Sequence, residues 1–565
     1  MLTGLTISNF KSFEKSQTIP IKPITLIFGE NSSGKSSIIH SLLFSREVNR
    51  RGHVDFSETE LSGDTVDFGG LKNLIHGKVL LKDELQLLSV GFDYKLNPFG
   101  GNPLKVTNRN TIRLMNKMDT IKYEYNLSVH NFLFDNPLSS GNLSIDNKKL
   151  ISFSNFKIDP ISKKPTVLKN EYHPHSMQFD NESIRDYIIS ILVDYQSREK
   201  VHSIEFDNLK KKDLEALIEE VLPTLLIRLR GLTPTSVKRT PSYFDYIDDK
   251  DLKMQSPKYY FAKMLPEAIE GIVSLTKLIR TTLNQMIYLG PFRNYPPRHF
   301  YLREQSKSGN WDSGGGSAWE KLLTDDSIRE RINMWLTSEL HLGMKYRWKK
   351  RKLFSERDLS EFLQHFCDPD SGYGLKFDAW SDDGAVWLDQ ERCEALPNEI
   401  IEGLKSFSPT IGEKFGIPEL VLEDSSTGTI LSHKEVGIGV SQIMPVIVQA
   451  LGNNNRLICI EEPDIHVHPG LQAKLGDLFI ESAIKHGNTL ILETHSEHLL
   501  LRLLRRIKEG YESDGKKFTS DDLSVIYTKK EKGISEAIEM EVDKKGKFKG
   551  SWPKEFFDER SKEIF

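Results

Sequence analysis

The apolar positions change period several times along the chain, and each change marks an element. Residues 2–28 alternate apolar and polar, with Leu2, Leu5 and Ile7 and then Ile19, Ile21 and Ile24 as the apolar positions, which predicts two or three strands. Ile24 to Phe28 is apolar without a break, as in a strand buried on both faces. Ile38, Ile39, Leu42 and Leu43 then recur at helical spacing. Later runs have the same buried-strand character: Met286 to Leu289, Leu457 to Ile460 and Leu490 to Leu492. Between them, residues 79–95 and 122–170 read as polar and strand-rich. Tyr187, Ile188, Ile191 and Leu192, then Leu214, Leu217, Ile218, Val221 and Leu225, predict helix across 182–230. Helical patterns return around 318–340, after a Gly/Ser-rich stretch at 306–317 that reads as mobile. Residues 435–451 open with two glycines and a serine and continue as an apolar helix, and Leu499 to Ile507 is an amphipathic basic helix. Buried strands separated by helices define an α/β fold class.

The residues at the end of each buried run carry the chemistry. After Phe28 stands Gly29-Glu30-Asn31-Ser32-Ser33-Gly34-Lys35-Ser36-Ser37, between a strand and a helix. This is the context of a phosphate-binding P-loop. The glycines let backbone N–H groups converge on phosphate oxygens, and the helix N-terminus adds its positive end. Lys35 is the residue to reach the β- and γ-phosphates, and Ser36 the one to ligate Mg²⁺. The Leu457 run ends in Glu461-Glu462-Pro463. A parallel strand delivers its carboxyl end to the ligand crevice, where one acid can hold Mg²⁺ and the next can polarise a water. The Leu490 run ends in Glu493-Thr494-His495-Ser496, so His495 reaches the same rim. Gly437-Ile-Gly439-Val-Ser441-Gln442 is a second helix N-terminus suited to phosphate. His466 and His468 flank a proline-containing loop and lack a carboxylate triad. Asp67-Phe68-Gly69-Gly70 is a tight-turn cluster, either a surface turn or a loop approaching the nucleotide. Tyr346-Arg-Trp-Lys-Lys-Arg-Lys352 is the most basic stretch, either a nucleic-acid grip or a basic edge strand.

Composition narrows the class. At 565 residues the chain is too long for one core. Seventy-six Lys and Arg against 80 Asp and Glu give a net charge of −4, so nucleic-acid binding would need a local patch. No apolar run approaches the roughly 18 residues of a membrane span, and the N-terminus lacks a secretory pattern. The three scattered cysteines show no CxxC spacing, which fits a reducing, cytoplasmic setting.

The order of these motifs resembles the ABC-class ATPases of the RecF/SMC type. Asn9-Phe-Lys-Ser-Phe13 followed by the P-loop looks like their N-terminal lobe. Gly437 to Gln442 resembles their signature motif in the degenerate form of small RecF-like prokaryotic ATPases. Glu461 takes the Walker B position, where Asp is usual, and Glu462 the position of the catalytic base. His468-Pro-Gly-Leu-Gln472 looks like the D-loop region and His495 like the switch histidine. Tyr288 to Arg293 and Trp552 to Asp558 also resemble this group, whereas no Q-loop glutamine can be placed.

The resemblance implies an ABC-type head built from both chain ends. Its parts would be an N-terminal lobe at 1–75, an inserted arm at 76–284, a return strand and helical region at 285–430, a C-terminal lobe at 431–530 and a tail at 531–565. It implies ATP and Mg²⁺ as ligands, with Ser36 and Glu461 on the metal and Ser441 completing the site of a second copy in a homodimer or larger oligomer. The group includes ATPase subunits of bacterial anti-phage systems, among them the Septu ATPase, which works with an HNH nuclease. It also includes relatives of the overcoming-lysogenisation-defect nucleases, which carry a Toprim domain after the ATPase. Only about seventy residues follow His495, too few for Toprim. The expectation is therefore an ATPase switch without its own nuclease, controlling a separate nuclease subunit of HNH type. The alternative is a DNA-repair or chromosome-maintenance ATPase acting directly on nucleic acid.

Overall fold

The computed structural model describes residues 1–51, 68, 71–78, 87–96, 118–128, 139–158, 165–167, 172–177, 216, 220–222, 225–230, 233–239, 257–294, 311–338, 345–353, 417–431 and 438–550. The chain divides into two units. One comprises Met1–Pro291, Asn453–Ile465 and Pro469–Phe565, and the other Phe292–Gly452 and His466–His468.

The first unit is built on a six-stranded sheet that interleaves both chain ends. Its order is Ile287–Leu289, Leu457–Glu461, Thr489–Glu493, Ile24–Gly29, Leu523–Glu531 and Ile534–Glu539. All neighbours are parallel except the last pair. Ile24–Gly29, Leu457–Glu461 and Thr489–Glu493 are buried at every position. That explains their unbroken apolar sequence, since helices cover the faces of parallel sheets. The last pair is joined by Lys532-Gly533, both at positive φ (50° and 89°), as a two-residue hairpin requires. From Lys35–Arg51 the helix after the P-loop buries Ile38, Ile39, Leu42 and Leu43.

A second sheet of the same unit is antiparallel and seven-stranded. Leu2–Ser8 pairs on one side with Gln17–Pro20 and on the other with Leu87–Lys95. Thr120–Ser128, Ser139–Ile145, Lys148–Ser154 and His173–Met177 continue it outward. The expected strands of 79–95 and 122–170 thus extend the N-terminal sheet, except for Phe156–Ile158 and Pro165–Val167, which pair with each other in a separate two-stranded sheet. The helical reading of 182–230 holds at Glu220–Val221 but fails at Leu225, which starts the strand Leu225–Arg230. Pro223 is the reason, because proline removes a helix hydrogen bond and disfavours helix in the residue before it. The positions Tyr187 to Leu192, Leu214, Leu217 and Ile218 lie outside the described residues.

In the second unit, residues 311–315 form a turn feeding the helix Gly316–Thr324, and Gly316 N donates to Trp311 O at 2.7 Å. The expectation of mobility is therefore corrected for 311–317, where Trp311 packs on a glycine that leaves room for its ring. The basic stretch is the strand Tyr346–Leu353, on the edge of a three-stranded sheet with Ile417–Asp424 and Ile430–Leu431. Trp348 is buried against Trp319, ring centroids 5.3 Å apart, and Arg347 and Lys349 both bind Glu423. Those three side chains are therefore engaged within the protein, and the stretch is a basic edge strand. The signature segment begins outside the described residues. Its helix, Ile438–Leu451, is tied to Arg293 of the same unit by Gln442 Nε2, which donates to Arg293 O at 2.9 Å.

Candidate functional site

The carboxyl edge of the parallel sheet holds a cavity of about 820 Å³. Its lining includes Ser32, Gly34, Lys35, Ser36, Ser37 and Glu493. Gly29, Ser32 and Gly34 have φ of 151°, 62° and 105°, so the chain between strand and helix turns through conformations that glycine tolerates best. A Cβ on Gly34 would lie 2.6 Å from Ser12 Oγ and 2.8 Å from Ser535 Oγ, and one on Gly29 only 2.3 Å from Thr528 O. The loop is therefore clamped between the N-terminal turn and the C-terminal hairpin. Lys35 Nζ donates to Gly29 O at 3.0 Å and Glu30 O at 2.8 Å. No acidic residue occupies the first turn of its helix, so nothing there offsets the positive helix end that would meet an anion. Asn31 is exposed beside the loop.

Three acids stand at the strand ends. In register, Glu461 pairs with Glu493 across two adjacent parallel strands. Glu493 Oε1 accepts from Ser36 Oγ at 3.0 Å. Glu461 Oε1 accepts from Tyr288 OH at 3.0 Å and lies 3.6 Å from His40 Nε2. Lys11 Nζ hydrogen-bonds to the other ring nitrogen, Nδ1. Burial, then the neighbouring Glu493, pushes the Glu461 carboxyl up to about 8. Burial also raises Glu493, against the Ser36 hydrogen bond and the Lys35 charge. The two acids disfavour each other's ionisation, and a divalent cation would relieve that. With the Ser36 hydroxyl alongside, the donor set fits Mg²⁺, which keeps phosphate and water oxygens among its ligands and needs few from protein. No cluster of three or more His, Cys, Asp or Glu suited to a metal is found among the described residues.

Glu462 comes next at a φ of 46°, an uncommon conformation for a residue with a side chain, and its N donates to Glu493 O at 2.7 Å. His495 is exposed just beyond the next strand. Desolvation and the Lys35 charge lower its pKa, and Glu462 opposes them. The flanking residues hold its backbone. Thr494 Oγ1 bonds Asp464 and accepts from Ser496 N, while Ser496 Oγ caps the helix Glu497–Glu509 and donates to Gln472 Oε1 at 2.7 Å. Ser441 is buried at 1% exposure in the first turn of its helix, within the other unit.

Sequence reasoning missed Glu493, His40 and Lys11 as parts of this site. His40 had a signal, because it lies four residues after Ser36 and so on the same helix face. Glu493 sits in register with Glu461, but register is a property of pairing that no local pattern encodes.

A glycine loop, a helix N-terminus and strand-end carboxylates on one sheet edge define a P-loop nucleotide-binding core. The AAA ATPase domain family matches residues 1–281 and 373–500, more than half of the sequence, and the chain belongs to that family. It is an ATPase of the AAA type. No curated protein matches it. Among solved structures it is similar to the Smc head domain with an extended coiled coil bound to the C-terminal domain of ScpA, from Pyrococcus furiosus. Identity there is 10%, the TM-score is 0.35, and 96% of each chain is covered. It is also similar to the SMC head domain from Thermotoga maritima, with 10% identity, a TM-score of 0.33, and 96% of this chain and 99% of that one covered.

Proposed function

We propose that the chain is a Mg²⁺-dependent ATP-hydrolysing switch that pairs with a second copy through its nucleotide sites and controls a separate nuclease. The observation that carries the ATP reading is the convergence of Lys35, Ser36 and Glu493 on one cavity, with Glu461 in register beside Glu493 on the neighbouring strand. Lys35 would exchange the Gly29 and Glu30 carbonyls for phosphate oxygens, and the loop amides and helix N-terminus would hold the remainder. Ser36 and Glu461 would hold the metal, which on binding neutralises phosphate charge. Glu462 would accept a proton from the attacking water as that oxygen bonds the terminal phosphorus and the bond to ADP breaks. His495 would orient the terminal phosphate. The pairing and the HNH-type nuclease partner rest on the motif order alone. The test is ATP turnover by the purified chain beside Lys35→Ala and Glu462→Gln, with a parallel assay for cleavage of DNA and RNA. The expected outcome is turnover that requires both residues, with no cleavage. Metal-dependent cleavage that survives loss of the ATP site would overturn the switch reading.

A further inference from the structure

We infer that Glu493 is a further cation-site residue, one that holds the Ser36 hydroxyl until a divalent metal takes it and then faces the metal's coordination shell. The inference rests on the ATP reading above and deepens it. Glu493 is 5% exposed and lines the nucleotide cavity, with Ser36 Oγ on its Oε1. Its second oxygen, Oε2, is buried and has no hydrogen-bond partner among the described residues. A buried carboxylate is costly unless it is paired or coordinates a metal. The nearby cation, Lys35, already donates to Gly29 O and Glu30 O. Strand packing alone does not call for an acid here, since the other residues of this strand are Thr489, Leu490, Ile491 and Leu492. The parallel register then sets this acid beside Glu461 at the strand ends. A carboxylate with one oxygen on the metal-ligand serine and the other unmatched is what a site needs if it is completed by a cation.

Glu493→Gln tests this, because glutamine keeps the shape and can still accept from Ser36 but carries no charge. The probe is Mn²⁺, followed by its electron paramagnetic resonance signal during titration with a non-hydrolysable ATP analogue, with analogue affinity in EDTA measured by calorimetry. The expected result for Glu493→Gln is Mn²⁺ affinity at least tenfold weaker, with EDTA affinity equal or tighter because a negative charge near the phosphates is gone. Glu493→Asp, which keeps the charge, should lose less than threefold. Parent-like Mn²⁺ affinity in Glu493→Gln, or equal losses in both variants, overturns the inference and leaves Glu493 a structural acceptor. If the glutamine chain does not fold, the aspartate variant decides, and a tenfold loss there counts against the inference. Failure of the ATP reading looks different: the parent itself would then show no analogue binding that depends on Lys35.

Discussion

Ser33 in the P-loop and Thr528, 495 positions later, share a buried hydroxyl–hydroxyl hydrogen bond of 2.6 Å. Thr528 Oγ1 donates onward to Phe28 O at 3.0 Å, so the Ser33 hydroxyl is the donor between the two. A C-terminal strand thereby sets the shape of an N-terminal loop. Thr528→Val keeps the volume but removes one donor and one acceptor from a dry site. The expected cost is about 1–3 kcal/mol, read as a fall of a few degrees in thermal midpoint, with weaker ATP binding by calorimetry. Thr528→Ser keeps the hydroxyl and should lose much less, and equal losses in the two variants would show that the hydrogen bond is not what matters.

Gly34 meets two constraints at once. Its φ is 105°, and a Cβ would press on Ser12 Oγ and Ser535 Oγ. Gly34→Ala should therefore cost about 1–3 kcal/mol of backbone strain beyond the contacts and lower nucleotide affinity at least tenfold. Adding Ser12→Ala relieves a contact but leaves φ unchanged, so recovery of affinity should be partial. Full recovery would mean that crowding, not backbone conformation, is the reason for glycine.

Lys35 is buried, and desolvation lowers its pKa against the pull of Glu493, Glu462 and Glu30. In the absence of nucleotide its ammonium gains two carbonyl hydrogen bonds but bears the cost of burial, so Lys35→Met should leave the thermal midpoint within a few degrees. Nucleotide affinity should nonetheless fall at least tenfold, about 1.4 kcal/mol, for loss of a charge-assisted contact. Calorimetric titration showing parent affinity in Lys35→Met would remove the P-loop assignment.

The P-loop was legible because strand, glycines, lysine and helix are local, and their order alone carries meaning. The strands ending at Glu461 and Glu493 were legible because burial on both faces writes an unbroken apolar run. What escaped was set by pairing between distant segments: Leu87–Lys95 hydrogen-bonded to Leu2–Ser8, Thr528 beneath Ser33, and Glu493 beside Ser36. The helical reading of Leu225 failed because apolar spacing was weighed above Pro223. The binding reading of Trp348 met its opposite in burial against Trp319, since composition does not say which face of an edge strand is covered.

The pairing of two copies is tested through Glu462 and the signature helix. Glu462→Gln removes the carboxylate proposed as the base and keeps the shape, so ATP should bind while turnover falls at least a hundredfold, as loss of a general base costs. The ATP-bound form should then accumulate as a dimer, measured by light scattering coupled to gel filtration with ATP and Mg²⁺. A blocking substitution must respect what the structure shows of the helix. Ser441 is 1% exposed, so an arginine there would be a buried, unpaired charge and would test folding more than pairing. Val440, its neighbour, is half-buried in the same first turn. Val440→Arg can direct its long side chain to solvent and obstruct an approaching phosphate without that cost. In Glu462→Gln/Val440→Arg the ATP-dependent dimer should disappear while the thermal midpoint stays near that of the single variant. Ser441→Ala in the same background should weaken the dimer if the serine hydroxyl is uncovered for the partner's phosphate. A dimer that persists in both double variants would place the interface away from this helix, and parent-rate turnover by Glu462→Gln would take the catalytic role from that residue.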